Sequence, residues 1–388
     1  MLETVAIRGY RSLRDIVVPL RRLTVIAGAN GAGKSSLYRA LRLLADCGRG
    51  EVIASLAREG GVESALWAGP ESLGAARRTG IAEGGPRARH VSIELGYASD
   101  DFGYLIDLGL PQNRQTAFHR DPEIKRELVF AGPVARPAAT LVRRVRSHVE
   151  IAGDTPGRFD ELARNLAPHR SVLNDWAGAT PELTQVRERL RDWRFYDGFR
   201  ADSGAPARRP QVGTRTPVLA DDGSDLAAAV QTILETGTED LAHMVAAALD
   251  GATVSVSVND GLFDLLLHQR GMLRPLRSAE LSDGTLRFLL WATALLSPEP
   301  PSLMVLNEPE TSLHPELVAP LAGLITAAAE RAQIVVVTHS ARLRQELGAG
   351  PIGSDTQAWE IELVKDWGET TVGGQQLLTT PRWDWGSR

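Results

Sequence analysis

A chain of 388 residues, 43% hydrophobic and 23% charged, carries enough apolar material for one large domain or two modest ones, which excludes disorder, collagen and a disulfide-stapled miniprotein. Its single cysteine, Cys47, permits no intrachain disulfide and reads as inert packing; with no amino-terminal signal pattern, the expected setting is the reducing cytoplasm. Apolar runs such as Phe288 to Leu296 and Leu317 to Ala329 are too short or too interrupted to cross a bilayer, so no membrane is expected.

The formal charge of -5 argues against a globally basic nucleic-acid coat, yet it hides a gradient. Residues 131–215 hold fifteen arginines, no lysine and ten acids, a net +5, which leaves -10 for the remainder. Only Lys34, Lys125 and Lys365 are lysines, so a lysine inside a phosphate-binding pattern is hard to dismiss as chance.

In chain order, the pattern predicts strands over Glu3 to Ile7, Asp15 to Pro19 and Leu23 to Ala27, then a glycine loop and a helix from Lys34 to Ala45. His90 to Gly96 and Gly103 to Leu108 alternate as an antiparallel hairpin around Ala98-Ser99-Asp100-Asp101, and Leu141 to Ile151 reads as one further strand. Pro156 to Arg194 reads as helical, from Phe159, Leu162 and Leu166 and then Leu183, Val186 and Leu190. Phe199 to Asp222, rich in Gly, Pro, Arg and Asp, reads as a connector. Helices follow at Asp225 to Glu235 and Asp240 to Leu249, then a hairpin pairing Thr253 to Val258 with Leu262 to Gln269 around Asn259-Asp260-Gly261. The last third reads as helix Leu286 to Leu296, buried strand Leu303 to Leu306, helix Leu317 to Ala332 and buried strand Ile334 to Thr338, consistent with a parallel core sheet. A pair, Trp359 to Val364 and Thr370 to Gln375, closes the chain. No repeat or sustained heptad appears.

Four patterns carry chemistry. Gly28-Ala29-Asn30-Gly31-Ala32-Gly33-Lys34-Ser35 follows an apolar strand and opens a helix, the order needed for main-chain N–H groups and a helix amino terminus to wrap phosphates. Lys34 is then expected on the β and γ phosphates of ATP and Ser35 on Mg²⁺. Ser302 to Glu310 is an apolar strand with a polar end, where Glu308 is the expected general base and Asn307 the residue nearest the metal. The usual residue at 307 is aspartate; asparagine keeps an oxygen acceptor and loses the charge, which predicts weaker Mg²⁺ binding and slower turnover. Leu281-Ser282-Asp283-Gly284-Thr285 opens an apolar helix, and Ser282 reads equally as a helix cap. Ile334 to Ser340 is a buried strand delivering His339, placed one strand after Glu308 to sense a γ-phosphate.

Together these patterns resemble ABC-type ATPase heads, and within them the soluble RecF-like and SMC-like ATPases. The resemblance covers the first fifty residues and roughly Ala279 to Ser340, with Gly28 to Ser36 fitting the Walker A loop, Ser282 to Thr285 the signature, Leu303 to Glu308 Walker B, Ser312 to His314 the D-loop and His339 the switch histidine. It implies nucleotide contacts from Asn30, Gly31, Gly33, Lys34, Ser35, Ser36, Ser282 and Gly284. Ile7 to Leu13 is similar to the first strand and turn of such heads, which adds Arg11 and Ser12. Asn307 and Asp283, the latter at the signature's second glycine, depart from the pattern. Gln112 and Gln115 are available for a Q-loop but lack its flanks.

The fold class implied is α/β, a P-loop head with a parallel core sheet, an antiparallel β side sheet and an inserted helical subdomain. Its expected parts are an amino-terminal lobe (1–110), an insert with an arginine-rich connector (111–222) and a carboxyl-terminal lobe (223–388). The resemblance also implies a homodimer sandwiching ATP, with Ser282 and Gly284 of one chain meeting the nucleotide held by Lys34 and Ser35 of the other, and an ATPase cycle coupled to DNA in repair, recombination or defence. An ATP-gated switch recruiting an effector protein without DNA is the alternative, and a transporter subunit is disfavoured by the long middle region. Arg187, Arg189, Arg191 and Arg194 suit either a phosphate-binding surface or a solvated helix face, and Trp193, Phe195 and Tyr196 either core anchors or base-stacking platforms. No nuclease is supported, because the histidines lack metal-ligand spacing.

Overall fold

The computed structural model describes the chain except residues 82–90, 112–116, 119, 156, 238–239, 349–356, 376–379 and 387–388. Two compact units form: Met1–Arg21 with Ala27–Trp193 and Ile361–Arg388, and Arg22–Ile26 with Arg194–Glu360. The strands run β1 (Leu2–Tyr10), β2 (Leu13–Pro19), β3 (Leu23–Gly28), β4 (Ser92–Ser99), β5 (Phe102–Gly109), β6 (Glu123–Ala131), β7 (Thr140–Val145), β8 (His148–Ala152) and β9 (Phe159–Ala163). They continue as β10 (Arg194–Asp197), β11 (Gln211–Val212), β12 (Thr253–Asn259), β13 (Leu262–His268), β14 (Leu276–Arg277), β15 (Leu303–Asn307), β16 (Gln333–Val337), β17 (Trp359–Asp366) and β18 (Glu369–Val372).

In the first unit an antiparallel sheet is ordered β2-β1-β4-β5-β6-β7-β8-β9. Two sequence expectations are corrected here. Leu141 to Ile151 is two strands, β7 and β8, because Arg146 turns the chain at φ 57° and Val145 pairs His148 across that turn. Phe159 to Leu166 is not helical: Phe159–Ala163 is the edge strand β9, paired with β8. Its three-and-four spacing of apolar residues is too short a run to separate helix from strand. The helix Pro181–Asp192 does form, capped by Thr180, and it buries Leu183, Val186 and Leu190. On its polar face Arg189 reaches Ser99 at 2.6 Å and Asp101 at 2.8 Å, while Arg191 lies 3.5 Å from Glu188. Trp193, Phe195 and Tyr196 are each at most 1% exposed, which makes them core anchors.

In the second unit β10, β15, β16 and β3 are parallel neighbours in that order. Leu303 to Leu306 and Ile334 to Val337 run apolar without alternation because they are buried throughout. The helix Asp283–Leu295 packs Leu286, Phe288, Leu289, Leu290 and Trp291 into the same core as Met304, Leu306, Ile334 and Val336. The β12–β13 hairpin turns on Asp260 (φ 51°) and Gly261 (φ 78°), the pair of left-handed residues that a tight two-residue loop requires. Among the described residues no helix is long and apolar enough to cross a membrane.

Arg144 and Glu127, both with fully buried side chains, pair at 2.7 Å in the side sheet. Tyr104 and Ser171 also donate to Glu127, at 2.7 and 2.5 Å. Arg144→Ala is expected to cost about 3–5 kcal/mol in chemical denaturation, because it strands the buried carboxylate. A loss below about 1 kcal/mol, typical of an exposed pair, would contradict this.

Candidate functional site

In the first unit the chain leaves β3 into the glycine loop and enters the helix Lys34–Arg49 at Gly33, whose φ of 109° few side chains tolerate. A second constraint applies there, since a Cβ on Gly33 would fall 2.2 Å from the Thr370 hydroxyl. Thr370, fully buried in β18, bonds the Ala32 carbonyl and the Ser12 hydroxyl, each at 2.8 Å, and its N–H donates to the Ser12 carbonyl at 2.8 Å. The carboxyl-terminal hairpin thus ties the β1–β2 turn to the glycine loop. Thr370 carries no local motif, so only the tertiary fold reveals it.

Lys34 is 8% exposed and its ammonium donates to the carbonyls of Gly28 at 2.7 Å and Ala29 at 3.3 Å, inside the curve of the loop. Asn30, Gly31 and Ser35 are exposed, and Ser36 is half-buried with its hydroxyl 3.5 Å from that of Ser12. The loop therefore presents main-chain N–H groups, a cation and a hydroxyl at a helix amino terminus, a combination suited to phosphate. Arg11, at φ 49°, is engaged: its guanidinium donates to Glu59 at 2.7 Å and to the Tyr10 hydroxyl at 3.1 Å. Burial, with the Glu59 carboxylate adding to it, pushes the Tyr10 phenol well above its usual range.

In the second unit β15 and β16 end side by side, with Asn307 opposite Val337. The Glu308 N–H donates to the Val337 carbonyl at 2.8 Å, which holds Glu308 at φ 49°, a left-handed conformation costing about 1–2 kcal/mol without glycine. Its carboxylate accepts from the His339 N–H at 3.3 Å and meets His339 Nδ1 at a short hydrogen bond. A carboxylate only accepts, so Nδ1 carries a hydrogen toward it, and Nε2 is the ring nitrogen that Glu308 does not engage. Glu310 completes this group: ligand atoms of Glu308, Glu310 and His339 lie within 4.8 Å of one another, a donor set able to hold a cation. Burial pushes the Glu310 carboxyl up, the Thr338 hydroxyl bond opposes this, and the Glu308 carboxylate adds to the rise. Asn307 Nδ2 donates to Asp197 at 2.6 Å.

Ser282 caps its helix, accepting from the Thr285 N–H at 3.2 Å. Gly284 lies beside the Ser312 turn, where a Cβ would sit 3.7 Å from the Ser312 carbonyl and where Ser312 itself takes φ 62°. Asp283 is met by Arg208, a residue in the arginine-rich connector with only 9% of its side chain exposed. Arg208 donates to Asp283 at 2.7 Å and to the carbonyls of Ala201, Ser278, Ala279 and Leu281 at 2.7 to 3.2 Å. One buried guanidinium thus both neutralises the departing aspartate and fixes the segment leading into the turn. Sequence spacing gives no hint of it, because 75 residues separate the two. Gln112 and Gln115 lie outside the described residues.

Arg208→Ala is expected to destabilise the protein by about 3 kcal/mol in thermal or chemical unfolding, since buried carbonyls lose their donor. Asp283→Asn is expected to change stability by less than about 1 kcal/mol because the Asp283 carboxylate is itself solvent-exposed. Equal losses in the two variants would contradict the assignment of Arg208 to the main chain.

A family model described as "AAA domain, putative AbiEii toxin, Type IV TA system" matches residues 23–344. No curated protein matches by sequence. Among solved structures, the chain is similar to an SmcHead bound to the C-winged helix domain of ScpA, at 14% identity over 97% of this chain and 98% of that one, with a TM-score of 0.50. It is similar also to the Smc head domain with an extended coiled coil from Pyrococcus furiosus, bound to the C-terminal domain of ScpA, at 12% identity over 97% and 96% of the two chains, again with a TM-score of 0.50. At such identity the likeness concerns the fold.

Proposed function

The chain belongs to this AAA-domain family and folds as an SMC-like ABC-type ATPase head, and from that premise we propose that it binds and hydrolyses ATP at a head-to-head homodimer interface and couples the cycle to DNA. The observation that carries the reading is the set of parallel strands β3, β16 and β15, whose carboxyl ends lead into the glycine loop, His339 and Glu308 respectively. Parallel α/β sheets place ligands at that end.

In this reading Lys34 and the loop N–H groups take the phosphates, aided by Asn30, Gly31, Gly33 and Ser36, with Arg11 and Ser12 at the β1–β2 turn. Ser282 and Gly284 of the partner chain close over the nucleotide. Glu308 polarises the attacking water through the oxygen not bonded to His339, and His339 senses the γ-phosphate by donating a hydrogen from Nε2, which requires the ring to carry a hydrogen on both nitrogens. Asn307 fits a metal role, because committing Nδ2 to Asp197 leaves the amide oxygen as an acceptor; with the Ser35 hydroxyl it would hold Mg²⁺. Magnesium supplies charge neutralisation on the phosphate oxygens.

Coupling to DNA is carried by the resemblance to SMC-like heads and not by composition, since Arg144, Arg189 and Arg208 of the arginine-rich stretch are already paired within the chain; a defence role draws on the toxin–antitoxin description of the family. A second reading, an ATP-gated switch that recruits a protein, draws on the two Smc heads, both solved with a ScpA domain bound.

The test is sedimentation of Glu308→Gln. With ATP and Mg²⁺ this variant is expected to accumulate as a dimer, because closure persists when hydrolysis stops, and to be monomeric without nucleotide. A monomer under both conditions would sink the sandwich. Salt-sensitive DNA binding that appears only with ATP supports the DNA reading, and an ATP-dependent dimer indifferent to DNA supports the protein switch.

A further inference from the structure

We propose that Asp197 supplies the negative charge of the magnesium site, acting as the carboxylate partner of the neutral Asn307; the inference rests on the ATPase reading above and names a residue of that same site. A small divalent cation favours anionic oxygen, and asparagine at the end of β15 lacks the charge that aspartate would bring. The neighbouring strand provides it. β10 runs parallel to β15 in the register Arg194↔Met304, Phe195↔Val305, Tyr196↔Leu306 and Asp197↔Asn307, so both strands end on a polar residue at one level. Residues in register on neighbouring strands project to the same face of the sheet. Phe195 and Tyr196 are buried, whereas Asp197 is exposed and keeps its carboxylate in water.

The contact between them has one chemical sense. Asn307 Nδ2 lies 2.6 Å from Asp197 Oδ1, and a carboxylate has no hydrogen to give, so the amide nitrogen faces it and the amide oxygen is turned away. Among the described residues Asn307 Oδ1 and Asp197 Oδ2 accept no hydrogen bond, which leaves the pair with two acceptor oxygens and one negative charge. An aspartate at 307 alone would offer the same charge. With Asp197 in place, however, aspartate at 307 would set two carboxylates against each other at hydrogen-bonding distance. Asparagine at 307 and aspartate at 197 are thus two halves of one arrangement. Glu308, the residue that follows Asn307, is engaged by His339.

The test uses the full chain and a fluorescent, slowly hydrolysed ATP analogue, with affinity measured in Mg²⁺ and again in EDTA. In the unaltered protein Mg²⁺ is expected to tighten binding. Asp197→Asn is expected to keep the EDTA affinity and to lower the Mg²⁺ enhancement by about 10–100-fold, the usual effect of removing a supporting group at a metal site. The swap Asp197→Asn with Asn307→Asp is expected to restore it, which separates charge from folding. An undiminished enhancement in Asp197→Asn, a swap that restores nothing, or an unaltered protein whose binding ignores Mg²⁺ overturns the inference and leaves nucleotide binding standing. An unaltered protein that binds no analogue in either condition overturns the ATPase reading itself.

Discussion

Main-chain hydrogen bonding among four parallel strands is the constraint on which the site depends. Because β10, β15, β16 and β3 pair in parallel, their carboxyl ends fall at one end of the sheet, and the chain must leave each strand there. Asp197 and Asn307 are the last residues of β10 and β15, Glu308 follows β15 directly and His339 lies two residues past β16. The main chain is held tightly at this point: the Glu308 and Thr338 N–H groups continue the ladder onto Val337 and Ile26, and Glu308 takes a left-handed conformation to do so. Strain of this sort persists only where surrounding hydrogen bonds over-determine it, and it turns the Glu308 carboxylate onto His339.

The two departures from the family pattern have a common explanation in their neighbours. Asp283 places a carboxylate in the signature turn, and buried Arg208 meets it while gripping the carbonyls of the preceding segment. Asn307 lacks a charge, and Asp197 stands against it in register. Each substitution changes the local charge by one, and each partner comes from the stretch between Trp193 and Arg209 that separates the two halves of the motif set. Of the two partners, Arg208 belongs to the connector and Asp197 to β10.

Much of the fold was legible in the sequence because buried parallel strands and capped helices leave local marks. Leu303 to Leu306 and Ile334 to Val337 are apolar without alternation, and Ser282 and the glycine loop announce the helices they open. The side sheet leaves fainter marks. A turn at Arg146 needs no glycine, so β7 and β8 looked like one strand, and Phe159 with Leu162 mimicked a helical stripe in what is an edge strand. Strand β10 has no legible period, being four residues long, although Phe195 and Tyr196 are apolar in the way a buried strand requires. Within the site the motif residues were legible and their partners were not. Thr370, Glu59, Arg208 and Asp197 lie tens to hundreds of residues from what they touch, and a contact at that separation leaves no trace in spacing.

The account stands on the glycine loop as a phosphate cradle with Lys34 at its centre. Calorimetric titration of ATP into the unaltered chain and into Lys34→Ala measures that directly: binding by the first and loss of binding in the second is the predicted outcome, and equal affinity in both would contradict it.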